Sequence, residues 1–291
     1  MHDVPVTTIV FLHAHPDDES TQTSGSMSRA TAAGDRVVVV YATNGDHGEA
    51  PDDLGEGETV VDRRHTEAEA SARATGTQRV EWLGYADSGM TGWEQNSAAD
   101  ALHGSDVEEG AARLVGILDE EDADVLVGYD WHGNYGHPDH VKVHHIAHRA
   151  ADLAARRPRL LESTMNRDRM RAAGEAAREA ARAAGDEGSE AAADATEETQ
   201  PEADFDVDRP MDDGNPLGTP EAEISWEVDV SGFLAQRRAA VAAHASQKTD
   251  TAWMTAMPDD QFALMFGTEF YIEPGRPGPI QEGWPFRPLE A

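Results

Sequence analysis

Apolar residues in this chain come in short runs that stop abruptly at polar clusters. Thr7 to Leu12 is one such run, and it breaks at His13-Ala14-His15-Pro16-Asp17-Asp18-Glu19. An apolar, β-branched run bounded by a Pro-Asp turn signal predicts a buried strand leading into a loop. Glu19 to Ala33 is rich in Ser, Thr and Ala, which predicts a helix whose acidic start suits its dipole and which Gly34-Asp35 ends. Arg36 to Thr43 is continuously apolar, as in a parallel strand covered on both faces. Its exit, Asn44 to Glu49, is again polar and holds glycines that permit turns and close backbone approach.

The alternation continues with a helix from Arg63 to Thr75, a strand from Arg79 to Tyr85, a helix from Val107 to Glu121 and a strand from Asp124 to Tyr129. Asp130 to His140 then leads into a helix reaching about Ala155. Strands and helices at this spacing predict a three-layer α/β sandwich of Rossmann-like type, with a mostly parallel sheet whose polar exit loops gather on one edge. Beyond Arg159 the pattern loosens into a C-terminal extension. Leu160 to Thr164 reads as a strand, Asn166 to Ala184 as a solvated helix, Ile224 to Val230 as an alternating strand and Phe233 to Ala245 as a helix. Phe262 to Ile272 and the Pro/Gly-rich end are expected to pack against the rest. Residues 1–291 are taken as a single domain. Within it, Asp186 to Asp213 has few large apolar residues and a heavy acid excess, so it is expected to be a mobile insertion.

Composition narrows the function. A formal net charge of −33 argues against nucleic acid and anionic membranes as partners. Lys142 and Lys248 are the only lysines, a bias that fits either salt adaptation or a GC-rich genome. Cysteine is absent, which removes disulfides, a thiolate nucleophile and Cys-type zinc sites, so any metal must be held by His and carboxylate. No signal-peptide pattern opens the chain and no stretch approaches the roughly 18 apolar residues of a membrane span, so a cytoplasmic protein is expected. Composition leaves homo-oligomerisation open.

Two strand exits carry the chemistry. His15-Pro16-Asp17-Asp18-Glu19 and Gly136-His137-Pro138-Asp139-His140 each follow a predicted strand, and each offers ligand-type side chains that can meet one ion. These loops, with Arg64-x-x-Glu67, Leu83-Gly84-Tyr85, Asp87-Ser88-Gly89-Met90 and Ala243-His244-Ala245-Ser246-Gln247, make the chain resemble the PIG-L/LmbE-like zinc-dependent N-acetylglucosaminyl deacetylases, in particular their mycothiol-pathway branch.

The resemblance implies His15, Asp18 and His140 as ligands of zinc, with ferrous iron as a substitute, and Asp17 as the general base on a zinc-held water. It implies His137, oriented by Asp139, as the group that stabilises the oxyanion as an imidazolium or protonates the leaving amine, with Tyr135 adding a hydrogen bond. Arg64 and Asp87 would hold sugar hydroxyls or phosphate, and Gln247 would lie at the substrate end. The implied reaction is removal of an acetyl or other acyl group from the amine of an aminosugar. Rival readings are an amidase acting on a mycothiol-type thiol conjugate and a metal-binding protein without turnover. His137 could equally serve as an N-cap before Pro138. His144, His145 and His148, further along the same helix, read as structural or solvated.

Overall fold

A computed structural model describes residues 6–183, 206–211, 213–276 and 278–288. Its centre is a sheet of parallel strands β1 (Thr8–His13), β2 (Arg36–Thr43), β3 (Arg79–Tyr85), β4 (Val125–Tyr129) and β5 (Arg159–Thr164), in the order β3-β2-β1-β4-β5. β6 (Trp226–Asp229), β7 (Thr268–Ile272) and β8 (Gln281–Glu282) extend it past β5 in the order β7-β6-β8, with β7 antiparallel to both neighbours.

Side-chain alternation along the strands builds two cores. Val10, Leu12, Val38, Val40 and Leu126 pack under α4 (Val107–Glu120) and α5 (Pro138–Leu153). Ile9, Phe11, Val37, Val39, Val125 and Val127 face the other way, toward Met27 and Ala30 of α2 (Ser24–Ala32) and Ala68 of α3 (Val60–Thr75). The predicted three layers follow. Helix α3 starts three residues before the sequence pattern suggests, because Thr59 and Asp62 form a reciprocal capping box.

The expected helix from Glu19 to Ala33 is instead two helices, α1 (Asp18–Gln22) and α2, broken at Thr23. Tertiary bonds favour the break. Thr23 Oγ1 lies 2.9 Å from His13 Nε2, and the Glu269 carboxylate accepts the free amides of Gly25 and Ser26 at 2.9 and 3.0 Å. The extension supplies α6 (Arg167–Ala183), α7 (Leu234–Ala243), α8 (Lys248–Ala256) and α9 (Asp259–Phe266), so the apolar stretch expected to run from Phe262 to Ile272 divides into a helix end and β7 at Gly267. No helix among the described residues is long and apolar enough to cross a membrane.

Of the acidic stretch expected to be mobile, residues 186–205 and 212 lie outside the described residues. Its described end is docked. Val207 is buried, Asp208 pairs with Arg171, and Asp213 Oδ2 lies 3.3 Å from His132 Nδ1.

Candidate active site

The sheet order reverses between β1 and β4, and the crevice at such a switch point is where open α/β sheets bind ligands. The two motif loops leave these neighbouring strands. Tyr129, last in β4, ties the exits together, its hydroxyl accepting the Ala14 amide at 3.0 Å and lying 3.0 Å from His13 Nδ1. In the second loop Gly133 has a φ of 63°, and a Cβ there would come within 2.2 Å of the His140 Cβ. Glycine is thus what lets α5 begin against the loop with His140 turned inward.

His15, Asp18 and His140 converge, all buried. His15 Nδ1 lies 3.4 Å from His140 Nε2 and 3.4 Å from Asp18 Oδ2, and His140 Nε2 lies 3.3 Å from Asp18 Oδ1. Ligands at zinc-like bond lengths of about 2.0–2.2 Å in a tetrahedral shell stand about 3.3–3.6 Å apart, so the two ring nitrogens and the Asp18 carboxylate, which meets each ring with a different oxygen, are close enough to hold a divalent ion. The outer ring nitrogens are held as metal ligands usually are. His140 Nδ1 donates to the Gly133 carbonyl at 3.2 Å, and His15 Nε2 lies 3.3 Å from Asp139 Oδ2 and 3.5 Å from Asp87 Oδ1. Charge points the same way. Burial opposes ionisation of both groups, yet Asp87, Asp139 and Asp18 raise the His15 pKa well above its usual value, while His140 and His15 hold Asp18 well below the usual carboxylate range. The cluster stabilises positive charge at the point where these donors meet.

Asp17 stands beside this set in a conformation that side chains rarely adopt, with a φ of 132°. Such backbone typically costs about 1–3 kcal/mol and persists only where its surroundings enforce it. Here Arg64 bonds the Pro16 carbonyl and the Asp17 carboxylate, the latter at 3.0 Å, while Glu19 Oε2 accepts the Asp17 amide at 3.0 Å. Burial is the main cause that raises the Asp17 pKa to about 6, with Asp18 adding and Arg64 opposing. Glu19 is itself anchored by Ser71 Oγ at 2.5 Å and His244 Nε2 at 2.7 Å. Sequence reasoning gave Glu19 only a helix-start role and did not single out Ser71. The His244 signal lay in the Ala-His-Ala-Ser-Gln stretch, without a job attached.

Other predicted residues come to the same crevice in altered relations. The Asp139 carboxylate does not orient His137 as expected. It lies against His15 and accepts from Ser88 Oγ and the Ser88 amide at 2.5 and 2.9 Å. The Asp139 amide reaches His137 instead, donating to Nδ1 at 3.1 Å, so His137 does cap α5. Since Nδ1 accepts, the neutral ring carries its proton on Nε2. Burial, then His15 and His140, push the His137 pKa down to about 3, so the ring is neutral near pH 7 and not the expected imidazolium. A ring nitrogen of His137 still falls within 4.8 Å of ring nitrogens of His15 and His140. Tyr135 is half-buried, its ring edge-on to His140 with centroids 4.9 Å apart.

Arg64 was expected to hold sugar hydroxyls or phosphate, yet it is buried and committed to Pro16, Asp17 and Gly45, while Glu67 binds Ser246. Asp87 caps the Gly89 amide at 2.8 Å beside His15. Gln247 bonds the Glu49 backbone in both directions, at 3.0 and 3.2 Å, and so anchors the loop after β2 instead of offering a free amide.

Comparison with known proteins agrees with this geometry. The profile of GlcNAc-PI de-N-acetylase (PIG-L) matches residues 10–151. A 1D-myo-inositol 2-acetamido-2-deoxy-alpha-D-glucopyranoside deacetylase from Streptomyces avermitilis is 34% identical over 282 residues, covering 93% of each chain. Among solved structures, the conserved protein TT1542 from Thermus thermophilus superposes with a TM-score of 0.56 at 19% identity, over 92% of this chain and 94% of its own. An N,N'-diacetylchitobiose deacetylase from Pyrococcus horikoshii gives 0.54 at 19%, over 92% and 82%, and both likenesses concern the fold. By the identity and coverage of its curated relatives, with both motif loops intact, the chain belongs to the PIG-L family of de-N-acetylases.

Proposed function

We propose that this chain hydrolyses the acetamide of an N-acetylglucosaminyl inositol, releasing acetate and the free amine, with zinc or ferrous iron held by His15, Asp18 and His140. The observation that carries the reading is the 3.3–3.4 Å approach of the His15 and His140 ring nitrogens to each other and to the two oxygens of Asp18, beside a separately held carboxylate, Asp17. Bound there, a divalent ion would polarise the amide carbonyl and acidify the attacking water.

The remaining work falls to the chain's own residues. Asp17, with a pKa near 6, is matched to take a proton from water near neutral pH, as the water oxygen bonds to the carbonyl carbon. Neutral His137 donates its Nε2 proton in a hydrogen bond to the carbonyl oxygen as negative charge develops there. The Asp17 carboxyl then returns its proton to the nitrogen while the C–N bond breaks. Asp139 and Asp87 hold His15 in its ligand orientation, and Arg64 and Glu19 hold Asp17. The substrate is assigned from the names of the relatives that match over nearly the whole chain.

The test is release of primary amine by metal-loaded enzyme, on the inositol glycoside, on free N-acetylglucosamine and on a thiol conjugate of the glycoside. The highest kcat/KM is expected on the inositol glycoside. Preference for the conjugate would move the assignment to an amidase, and no release from any of the three would overturn it.

A further inference from the structure

A second group of ligand-type side chains lies further along α5, outside the site just described. His144 and His148 are four residues apart and so share one helix face. Glu162 comes toward them from β5, on the same side of the sheet as Leu160, which packs into the core beneath α4 and α5. One ring nitrogen from each histidine and one Glu162 oxygen lie within 4.8 Å of one another. His148 Nε2 is 2.5 Å and His144 Nδ1 3.4 Å from Glu162 Oε1.

The tautomer of His144 is fixed in the manner of a metal ligand. Its Nδ1 lies 3.0 Å from the Tyr129 carbonyl, which can only accept, so the 3.4 Å approach to Glu162 is made by a protonated Nδ1, and the lone pair left for an ion is that of Nε2. Burial further disfavours its imidazolium. Glu162 is buried, whereas the His148 side chain is 39% exposed, which opens the cluster to solvent on one side. Neutralising one buried carboxylate needs a single protonated histidine, and here two imidazoles converge on it. The surrounding charge of −33 also enriches cations at the surface.

We propose that His144, His148 and Glu162 form a second divalent transition-metal site, of the zinc class that accepts two imidazoles and a carboxylate, with water completing the shell. The ion takes the place of the proton joining His148 to Glu162, whose contact opens from 2.5 Å to the roughly 3.3 Å that separates two ligands of one ion. It cross-links α5 to β5. Because α5 begins at His137 to His140, the second ion braces the helix that presents the candidate catalytic loop, without being part of it.

The experiment is elemental analysis of full-length protein, stripped with chelator, equilibrated with zinc and passed through a desalting column. Wild type is expected to retain two ions per chain. His148→Ala and Glu162→Gln should each retain one, and Asp18→Ala should also retain one, at the second site. One ion in wild type that both His148→Ala and Glu162→Gln keep, two in both of those variants, or none in a folded Asp18→Ala would each overturn the proposal. Where Asp18→Ala fails to fold, the loss of one ion from His148→Ala and Glu162→Gln relative to wild type decides the matter.

Discussion

The parallel and antiparallel halves of the sheet use buried polar groups in opposite ways. At the exits of β1, β3 and β4, the buried carboxylates of Asp18, Asp87 and Asp139 crowd around His15 and His140, and beside them the backbone is bent into an unfavourable φ at Asp17. Across the sheet, Glu269 of β7 is also buried but fully served. It accepts from Gly25, Ser26, Arg237 and the Tyr271 hydroxyl at 2.8–3.0 Å. Arg159, Glu273 and Trp226 form a similar closed set. One half keeps an electrostatic demand that a bound cation and a reacting substrate can meet, and the other closes its demand within the fold. Burial of charge marks function only where the chain leaves it unanswered.

Variants in each half test that contrast. Glu269→Ala leaves Arg237 buried without its carboxylate, and is expected to lower stability by about 3–5 kcal/mol in denaturant unfolding while metal content per folded chain stays at the wild-type level. A loss below about 1 kcal/mol would show that the closed set does not hold the antiparallel half. His137→Ala should do the reverse, reducing kcat by about 10²–10³ as one oxyanion donor is lost, while stability falls by only about 1 kcal/mol, the usual cost of losing an N-cap. An unchanged kcat would leave His137 as a cap and nothing more.

The strain at Asp17 can be read by comparing two variants that both lack the carboxylate. Asp17→Gly should be more stable than Asp17→Ala by about 1–3 kcal/mol, since only glycine tolerates this φ without cost. Equal stabilities would mean the backbone relaxes. The smallest effect concerns Glu121 at the far end of the sheet. Hydrogen bonds and charge from Arg36 and Arg79 outweigh partial burial and lower its pKa to about 2. Because the folded value lies below the unfolded one, its contribution is full above about pH 4.5 and is lost as pH falls toward 2. Glu121→Gln should therefore flatten the acid limb of a stability-against-pH curve over that window, and parallel curves would refute the pairing.

The same contrast explains what could be read from the sequence. The first five strands were legible, because continuous apolar runs ending in polar clusters depend on local order alone. The grouping of His15 and Asp18 with His140, 125 positions from His15, came from the family resemblance of the two motif loops. The break at Thr23 was not legible, since it depends on Glu269, which is 246 positions later in the chain and reaches α2 only through the antiparallel turn of β7. The substrate roles of Arg64 and Gln247 rest on the family resemblance alone. Folding buries both against loops whose paths the sequence does not encode locally. Asp139 shows the limit most directly. Close to His137 in sequence, it turns its carboxylate to His15, which is 124 positions away.

In the proposed mechanism adjacent carboxylates divide the work, Asp18 holding the ion and Asp17 moving the proton. Metal content and turnover measured side by side in Asp17→Asn and Asp18→Ala test it most directly. Asp17→Asn is expected to keep the wild-type number of ions while kcat falls by about 10²–10⁴, the range for loss of a general base, and Asp18→Ala is expected to lose one ion per chain together with activity. An Asp17→Asn enzyme that loses an ion while Asp18→Ala retains the full complement would contradict the assignment and exchange the two roles.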